Sequence, residues 1–180
     1  MAIPGLNVPT ILTLSRILLI PVFLIVAPDY PVWGVVLFSL ASATDFLDGY
    51  IARRTGQITK FGIILDPIAD KFLVISALIM LVEVGSLSAF VAIVIIIREF
   101  LVTALRVAAL TKNIVIPAER GGKIKTTLQI FAIIFLILKD ALFGIDLYPI
   151  GTLLIWAAMV MAVVSGVNYT VGFWKRISGD

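Results

Sequence analysis

The sequence contains no cysteine and no histidine. Without cysteine the chain has no disulfide framework, no iron–sulfur cluster and no zinc thiolate site. Without histidine it lacks the commonest general base and transition-metal ligand. Any chemistry must therefore use carboxylates, lysine, arginine or hydroxyl groups, alone or with a hard cation such as Mg²⁺ or Mn²⁺.

Charged residues are also scarce. They make up 14% of the 180 residues, whereas 61% are hydrophobic; an ordinary soluble domain has about 25% and about 45–50%. A soluble fold of this size could not bury so much apolar surface, and a disordered chain would be more polar. The composition predicts an integral membrane protein. The formal charge of +3 fits basic residues beside the membrane better than a nucleic-acid-binding face.

Long apolar segments set the predicted architecture. A transmembrane helix needs about 20 mostly apolar residues, and six segments qualify if a few internal charges are allowed. They lie near residues 10–28, 32–52, 63–84, 87–111, 126–144 and 148–173. We therefore predict an all-α integral membrane protein with six transmembrane helices in one domain, residues 1–180. Residues 1–9 are expected to form a short interfacial segment.

The loops between these segments differ in charge. Basic residues follow the second, fourth and sixth segments: Arg53, Arg54, Lys60, Lys112, Arg120, Lys123, Lys125, Lys175 and Arg176. The alternate loops hold Asp29, Glu83 and Asp146, with Lys139 and Asp140 close to the last. By the positive-inside rule both termini face the cytoplasm in a multi-pass protein.

Several ionisable residues fall inside or at the edge of the apolar segments. They are Arg16, Asp45, Asp48, Asp66, Asp70, Lys71, Arg98, Glu99 and Arg106. Each costs about 2.5–3.5 kcal/mol at a bilayer centre on insertion scales. We therefore expect them to face one another, a cation or water, and not lipid.

The spacing of the four aspartates predicts a shared site. Asp45 and Asp48 are three residues apart, and Asp66 and Asp70 are four apart, so each pair shares one face of a helix. The connection between the two helices is short, which makes them antiparallel neighbours. Four carboxylates would be neutralised by two divalent cations, and oxygen ligands are what Mg²⁺ prefers. The hairpin 45–70 thus predicts a polar metal site near the cytoplasmic side.

Simpler interpretations exist for isolated charges. A single aspartate near a helix end is usually a cap or an ion-pair partner, but four at these spacings beside glycine and alanine exceed that explanation. Arg98 and Glu99 could form only a structural pair. Lys71 and Arg98 could serve as counter-ions for the motif carboxylates.

The hairpin resembles the signature of the CDP-alcohol phosphatidyltransferases. It reads Asp45-Phe-Leu-Asp48-Gly49-Tyr-Ile-Ala52-Arg53, then eight residues, then Gly62-Ile-Ile-Leu-Asp66-Pro-Ile-Ala-Asp70. Every fixed position and spacing of D-x2-D-G-x2-A-R-x8-G-x3-D-x3-D is present. The opening Pro9-Thr10-Ile-Leu-Thr13-Leu-Ser-Arg16 is similar to the family's entry to its first helix, with Thr10 where many members have Asn. Residues 97–106 and 122–126 most resemble bacterial members that make phosphatidylglycerophosphate.

The resemblance implies an enzyme that transfers the phosphatidyl group of CDP-diacylglycerol to an alcohol and releases CMP. It implies that Asp45, Asp48, Asp66 and Asp70 bind two divalent cations, Mg²⁺ or Mn²⁺, and that Asp70 is the general base. It also implies that CDP is bound by five residues: Thr13, Asp48, Gly49, Ala52 and Arg53. For the subfamily the alcohol is sn-glycerol 3-phosphate. The enzyme would act at the cytoplasmic face of the plasma (inner) membrane, as a homodimer like many members and without nucleic acid.

The acceptor phosphate needs cations of its own. Our candidates are Arg106, Arg120, Lys123 and Lys125, which could instead anchor the topology or contact anionic lipid. Other members use inositol phosphate, phosphatidylglycerol or serine as acceptor. A cation or proton transporter is a further alternative, because intramembrane carboxylates also mark ion pathways. Transporter sites lie nearer the midplane, between internal repeats that this sequence does not display.

Overall fold

The protein folds into a set of α-helices, as its sequence predicts. A computed structural model describes residues 8–55, 60–111, 120–139 and 144–178, with side chains for 14–44, 71–109, 125–139 and 144–176. Within these ranges the helices are α1 (Val8–Val26), α2 (Pro31–Thr55), α3 (Lys60–Glu83), α4 (Ala89–Thr111), α5 (Arg120–Leu138) and α6 (Tyr148–Ser178). Residues 1–7 of the predicted interfacial segment lie outside the described residues, and its last two belong to α1.

Each predicted apolar segment coincides with one helix, but several ends differ. The fifth helix begins at Arg120 and ends at Leu138, six residues earlier at each end than the apolar segment 126–144. Its first turn is basic, which an apolar window does not register, and it stops where Lys139 takes a φ of 45°. The sixth helix likewise continues through Lys175 and Arg176. Apolar runs therefore locate a helix but miss its polar ends.

Local chemistry accounts for several helix ends. Pro31 is the first residue of α2, where its missing N–H costs no hydrogen bond. Gly85 follows α3 with a φ of 70°, and Ser86 N donates to Leu81 O at 2.8 Å, which closes the end of the helix. Before α6, Asp146 Oδ1 accepts a hydrogen bond from Tyr148 N at 2.9 Å and caps its first turn.

The third helix lies at the centre of the bundle. It contacts α1, α2, α4 and α5, while α6 packs against α4 and α5. The buried core lies between these helices and includes Phe23 and Phe38, whose ring centroids are 5.9 Å apart. This packing places α3 beside α2, and these two helices carry the aspartate signature.

The surface of the bundle is unusually apolar. Leu18, Ile25, Leu153 and Trp174 are each 69–75% exposed, whereas Arg16 is fully buried. Within the described residues one helical stretch, Tyr148–Arg176, is both long and apolar enough to cross a membrane. Shorter apolar stretches lie at Leu14–Val26, Pro31–Thr44 and Lys125–Leu138. Six membrane crossings therefore stay a prediction.

Candidate active site

The structure brings the two helices of the aspartate signature into contact. Asp45 and Asp48 lie on α2, Asp66 and Asp70 lie on α3, and the two helices are neighbours in the bundle. The side chains of these four residues lie outside the described ones. So do those of six other predicted site residues: Thr13, Gly49, Ala52, Arg53, Arg120 and Lys123. The meeting of the carboxylates thus remains a prediction.

A cluster of charged side chains begins at Lys71, the residue that follows the signature. Its centre is Glu99 on α4, whose carboxylate accepts hydrogen bonds on both oxygens. Lys71 Nζ on α3 donates to Glu99 Oε2 at 3.0 Å. Lys125 Nζ on α5 and Arg98 Nη1 both donate to Glu99 Oε1, the latter at 3.3 Å. We call these four residues the Glu99 cluster.

Arg98 extends the cluster to a fourth helix. Its Nε donates to Ala162 O at 3.0 Å, and its Nη2 donates to Ser165 Oγ at 2.9 Å. The side chain can lie across α6 because residue 166 is glycine: a Cβ there would be 3.1 Å from Arg98 Cγ. The planar guanidinium thus joins the Glu99 carboxylate to the backbone of α6 with fixed geometry.

Little of the Glu99 cluster is open to solvent. The side chain of Lys125 is 3% exposed, and those of Arg98, Glu99 and Lys71 are 13%, 16% and 19% exposed. Of the nine ionisable residues expected to face one another, a cation or water, Arg16, Lys71, Arg98 and Glu99 are shielded, as expected. Arg106 is exposed, and the four aspartates lie outside the described side chains. Surface ion pairs contribute little because water screens them. These pairs are shielded from water. Removing one partner would therefore leave a charge without compensation in the interior, which destabilises the fold more than breaking a surface pair does.

A small cavity lies beside Glu99. It has a volume of about 30 Å³ and is lined by residues of α3, α4 and α5, including Lys71, Glu99, Thr126 and Gln129. That is room for a water molecule. Among the described residues, the side chains of the Glu99 cluster join α3, α4, α5 and α6 to one another.

The predicted acceptor-site residues have different surroundings. Lys125 is buried and bonded to Glu99, whereas Arg106 is exposed on α4. Arg120 and Lys123 belong to the first turns of α5, and their side chains lie outside the described residues. Lys125 and Lys123 are two residues apart on the same helix. The structure thus relates one acceptor candidate directly to the Glu99 cluster.

Comparison with known proteins identifies the family. The sequence profile described as CDP-alcohol phosphatidyltransferase matches residues 6–164. The chain belongs to this family. A CDP-diacylglycerol–glycerol-3-phosphate 3-phosphatidyltransferase of Bacillus subtilis is 40% identical over 187 residues, covering 95% of this chain and 97% of the relative.

Further relatives agree with this assignment. A protein of the same name from Rickettsia felis is 40% identical, covering 91% of this chain and 93% of its own length. A probable phosphatidylglycerophosphate synthase of Mycobacterium tuberculosis is 39% identical, covering 96% of this chain and 84% of its own length. The similarity therefore extends well beyond the aspartate signature, along nearly the whole chain.

CDP-alcohol phosphatidyltransferases generally use divalent metal ions. Among the residues whose side chains are described, no three carboxylate, imidazole or thiol groups come together. The four motif aspartates lie outside that set, on two helices in contact. Their donor chemistry, carboxylate oxygen alone, fits a hard divalent cation such as Mg²⁺. They are thus the residues of this chain whose chemistry suits such an ion.

Sequence reasoning did not identify Glu99 as the centre of a cluster. It treated Arg98 and Glu99 as an isolated pair and Lys71 as a counter-ion for the aspartates. One signal was available: outside the signature, Glu83 and Asp140 lie near the ends of their apolar segments, whereas Glu99 lies in the middle of the segment 87–111. A carboxylate in such a position requires partners. Their identity depends on which helices pack against α4.

Proposed function

We propose that this protein transfers the phosphatidyl group of CDP-diacylglycerol to sn-glycerol 3-phosphate, giving phosphatidylglycerophosphate and CMP. The observation that carries the proposal is the complete signature from Asp45 to Asp70 on the contacting helices α2 and α3. The near full-length similarity to relatives named for this reaction supports the choice of acceptor.

The chemistry requires one bond to form and one to break. A hydroxyl oxygen of glycerol 3-phosphate attacks the phosphorus of the phosphatidyl group, and the bond from that phosphorus to the CMP oxygen breaks. The hydroxyl proton goes to Asp70, and CMP leaves with the electron pair. An ordinary aspartate, with a pKa of about 3.9, is a weak base at neutral pH. Asp70 can therefore accept the proton efficiently only if another group makes the hydroxyl more acidic.

We assign this acidification of the hydroxyl to divalent cations bound by the signature aspartates. Asp45, Asp48, Asp66 and Asp70 would hold two of them, Mg²⁺ or Mn²⁺. Bound there, such cations supply charge stabilisation for the transferring phosphoryl group and acidify the attacking hydroxyl. The protein's own part is to supply the carboxylates from two helices and to keep Asp70 within reach of the hydroxyl proton.

The nucleotide half of the donor is assigned to the start of the signature. Gly49 and Ala52 have almost no side chain, so a pyrophosphate and a flat base can approach the backbone of α2 closely. Arg53 has the planar fork of donors that suits phosphate oxygens. Thr13, at the beginning of α1, and Asp48 complete the proposed CDP site.

The acceptor phosphate is assigned to basic residues of α4 and α5. Arg106, Arg120, Lys123 and Lys125 are the proposed contacts, of which Arg120 and Lys123 are the first choice. Lys125 is the acceptor candidate whose ammonium group is bonded to Glu99 of the neighbouring helix α4. A basic pocket favours a phosphorylated alcohol over serine or phosphatidylglycerol.

We also propose that the enzyme is a multi-pass protein of the plasma (inner) membrane, active at its cytoplasmic face as a homodimer. The apolar surface supports a location within the membrane, because Leu18 and Leu153 are exposed while Arg16 and Lys125 are buried. That distribution is favourable when lipid, not water, surrounds the bundle. The basic residues at the end of α2 and start of α3, after α4, and near the end of α6 support the cytoplasmic orientation.

The test is release of CMP by purified protein in detergent with CDP-diacylglycerol, Mg²⁺ and a panel of acceptors. We expect turnover with glycerol 3-phosphate and little with inositol phosphate, serine or phosphatidylglycerol. Asp70→Asn should abolish turnover while CDP-diacylglycerol binding stays close to normal. Asp29→Asn is the matched control, because Asp29 is an exposed carboxylate between α1 and α2. Absence of CMP release from the unsubstituted protein with any acceptor would refute the proposal.

A further inference from the structure

We infer that Glu99 is a positioning residue for acceptor binding, acting through Lys125. The inference rests on the proposed function and adds a residue outside the signature. Among the described side chains, Glu99 bonds to Lys71, Arg98 and Lys125. Its effect on the reaction is assigned to these cations, and to Lys125 above all, because Lys125 is one of the proposed acceptor contacts.

Glu99 provides one of the contacts that orient the Lys125 ammonium group. Lys125 reaches Oε1 from α5, while Lys71 reaches Oε2 from α3. The carboxylate is itself held by Arg98, which is bonded to Ala162 O and Ser165 Oγ on α6. Lys125 is thus located by a group that is fixed to three other helices. A flexible lysine side chain gains orientation from such a fixed partner.

Sequence position connects this cluster to both halves of the proposed site. Lys71 directly follows Asp70, the last residue of the signature, and Lys125 is two residues after Lys123 in the basic first turns of α5. Glu99 therefore connects the helix that carries the metal-binding signature with the helix that carries the acceptor candidates. The exposed residue Glu83, at the end of α3, is of the same type but lies outside this cluster.

Glu99→Gln is the most direct test of the role of Glu99 in acceptor binding. An amide keeps one oxygen acceptor but places an NH₂ donor where the second oxygen was, so it cannot accept from both Lys71 and Lys125. We expect the KM for glycerol 3-phosphate to rise about tenfold or more, while the KM for CDP-diacylglycerol changes less than about twofold. Glu83→Gln, the matched control, should leave both constants unchanged.

A double-mutant cycle tests whether Glu99 acts through Lys125. Glu99→Gln, Lys125→Met and the double variant are compared by their acceptor KM. If the inference is right, the double variant is no worse than Lys125→Met alone, because the second change removes a contact already lost. Effects that multiply independently would overturn the inference. So would an acceptor KM in folded Glu99→Gln equal to that of the unsubstituted protein.

Folding is measured separately for every variant by size-exclusion chromatography and thermal unfolding in detergent. A purely structural role would lower the unfolding temperature and the yield while leaving the KM of the folded fraction unchanged. If Glu99→Gln does not fold, Glu99→Asp keeps the charge but shortens the reach. It should raise the acceptor KM by a smaller factor, and an unchanged KM in it would overturn the inference.

The assay also separates the two proposals. If the unsubstituted protein releases no CMP with any acceptor, the proposed function fails and the role of Glu99 fails with it. If it releases CMP with glycerol 3-phosphate but the Glu99 variants keep its acceptor KM, the proposed function stands and only the role of Glu99 fails.

Discussion

The contact between α1 and α2 depends on the absence of a side chain at Gly34. A Cβ built on this residue would lie 2.6 Å from Ala27 Cβ and 2.8 Å from Ala27 Cα. An ordinary carbon–carbon contact is about 3.5–4.0 Å. Gly34→Ala therefore requires the chain to separate by about 1 Å here. Rotation of a side chain cannot supply this, because one of the two atoms belongs to the backbone.

Backbone hydrogen bonds oppose such a movement. Ala27 N donates to Phe23 O and Gly34 N donates to Tyr30 O, each at 2.9 Å. Overpacking of this kind lowers the free energy of unfolding by about 1–3 kcal/mol. Replacing glycine by alanine within a helix raises it by about 0.5–1 kcal/mol. The expected net loss is about 1–2 kcal/mol. For a chain of this length each 1 kcal/mol lowers the unfolding temperature by about 2–4 °C.

The measurement is thermal unfolding of purified protein in detergent, followed by the circular dichroism of the helices. Gly34→Ala should unfold about 2–8 °C below the unsubstituted protein. Gly172→Ala is the matched control, because a Cβ at residue 172 of α6 would meet no atom within 4 Å. It should be neutral or slightly stabilising. If Gly34→Ala unfolds at the same temperature as Gly172→Ala or above it, the close packing of α2 against Ala27 is wrong.

The remaining predictions concern α5 and α6. Lys123→Ala should raise the KM for glycerol 3-phosphate about tenfold, with kcat little changed, because one charge-assisted hydrogen bond is lost. Steady-state kinetics measures both constants. An unchanged KM would show that Lys123 is not part of the acceptor site. Gly166→Ala should lower stability by about 1 kcal/mol, because its Cβ would lie 3.1 Å from Arg98 Cγ. Thermal unfolding beside Gly172→Ala checks this, and equal unfolding temperatures would contradict the packing of Arg98 on α6.

Much of the architecture could be predicted from local sequence. Apolar runs located all six helices, and the short connection 56–59 made α2 and α3 neighbours. The helix ends were less predictable because helices extend into basic residues, as α5 does at Arg120 and α6 does at Arg176. Backbone hydrogen bonding continues a helix whatever the polarity of its side chains, so an apolar window underestimates its length.

The candidate site likewise has one part that could be predicted from the sequence and one part that could not. The aspartate signature could be recognised because its spacing follows the period of a helix and its two halves are close in sequence. The Glu99 cluster could not, because Lys71, Glu99, Lys125 and Ser165 are separated by distances along the chain that follow no period. An energetic argument predicted that these charges face inward, but it did not select their partners.

The sequence by itself determined the class of protein, the positions of its helices and the residues of its signature, because hydrophobicity and helical period are local properties. Tertiary structure decided which helices meet: α3, α4, α5 and α6 converge so that one carboxylate holds Lys71, Arg98 and Lys125. Charge pairing in a shielded interior depends on distances of a few ångströms between helices. Those distances are fixed by packing of the whole bundle, including the close approach that Gly166 permits.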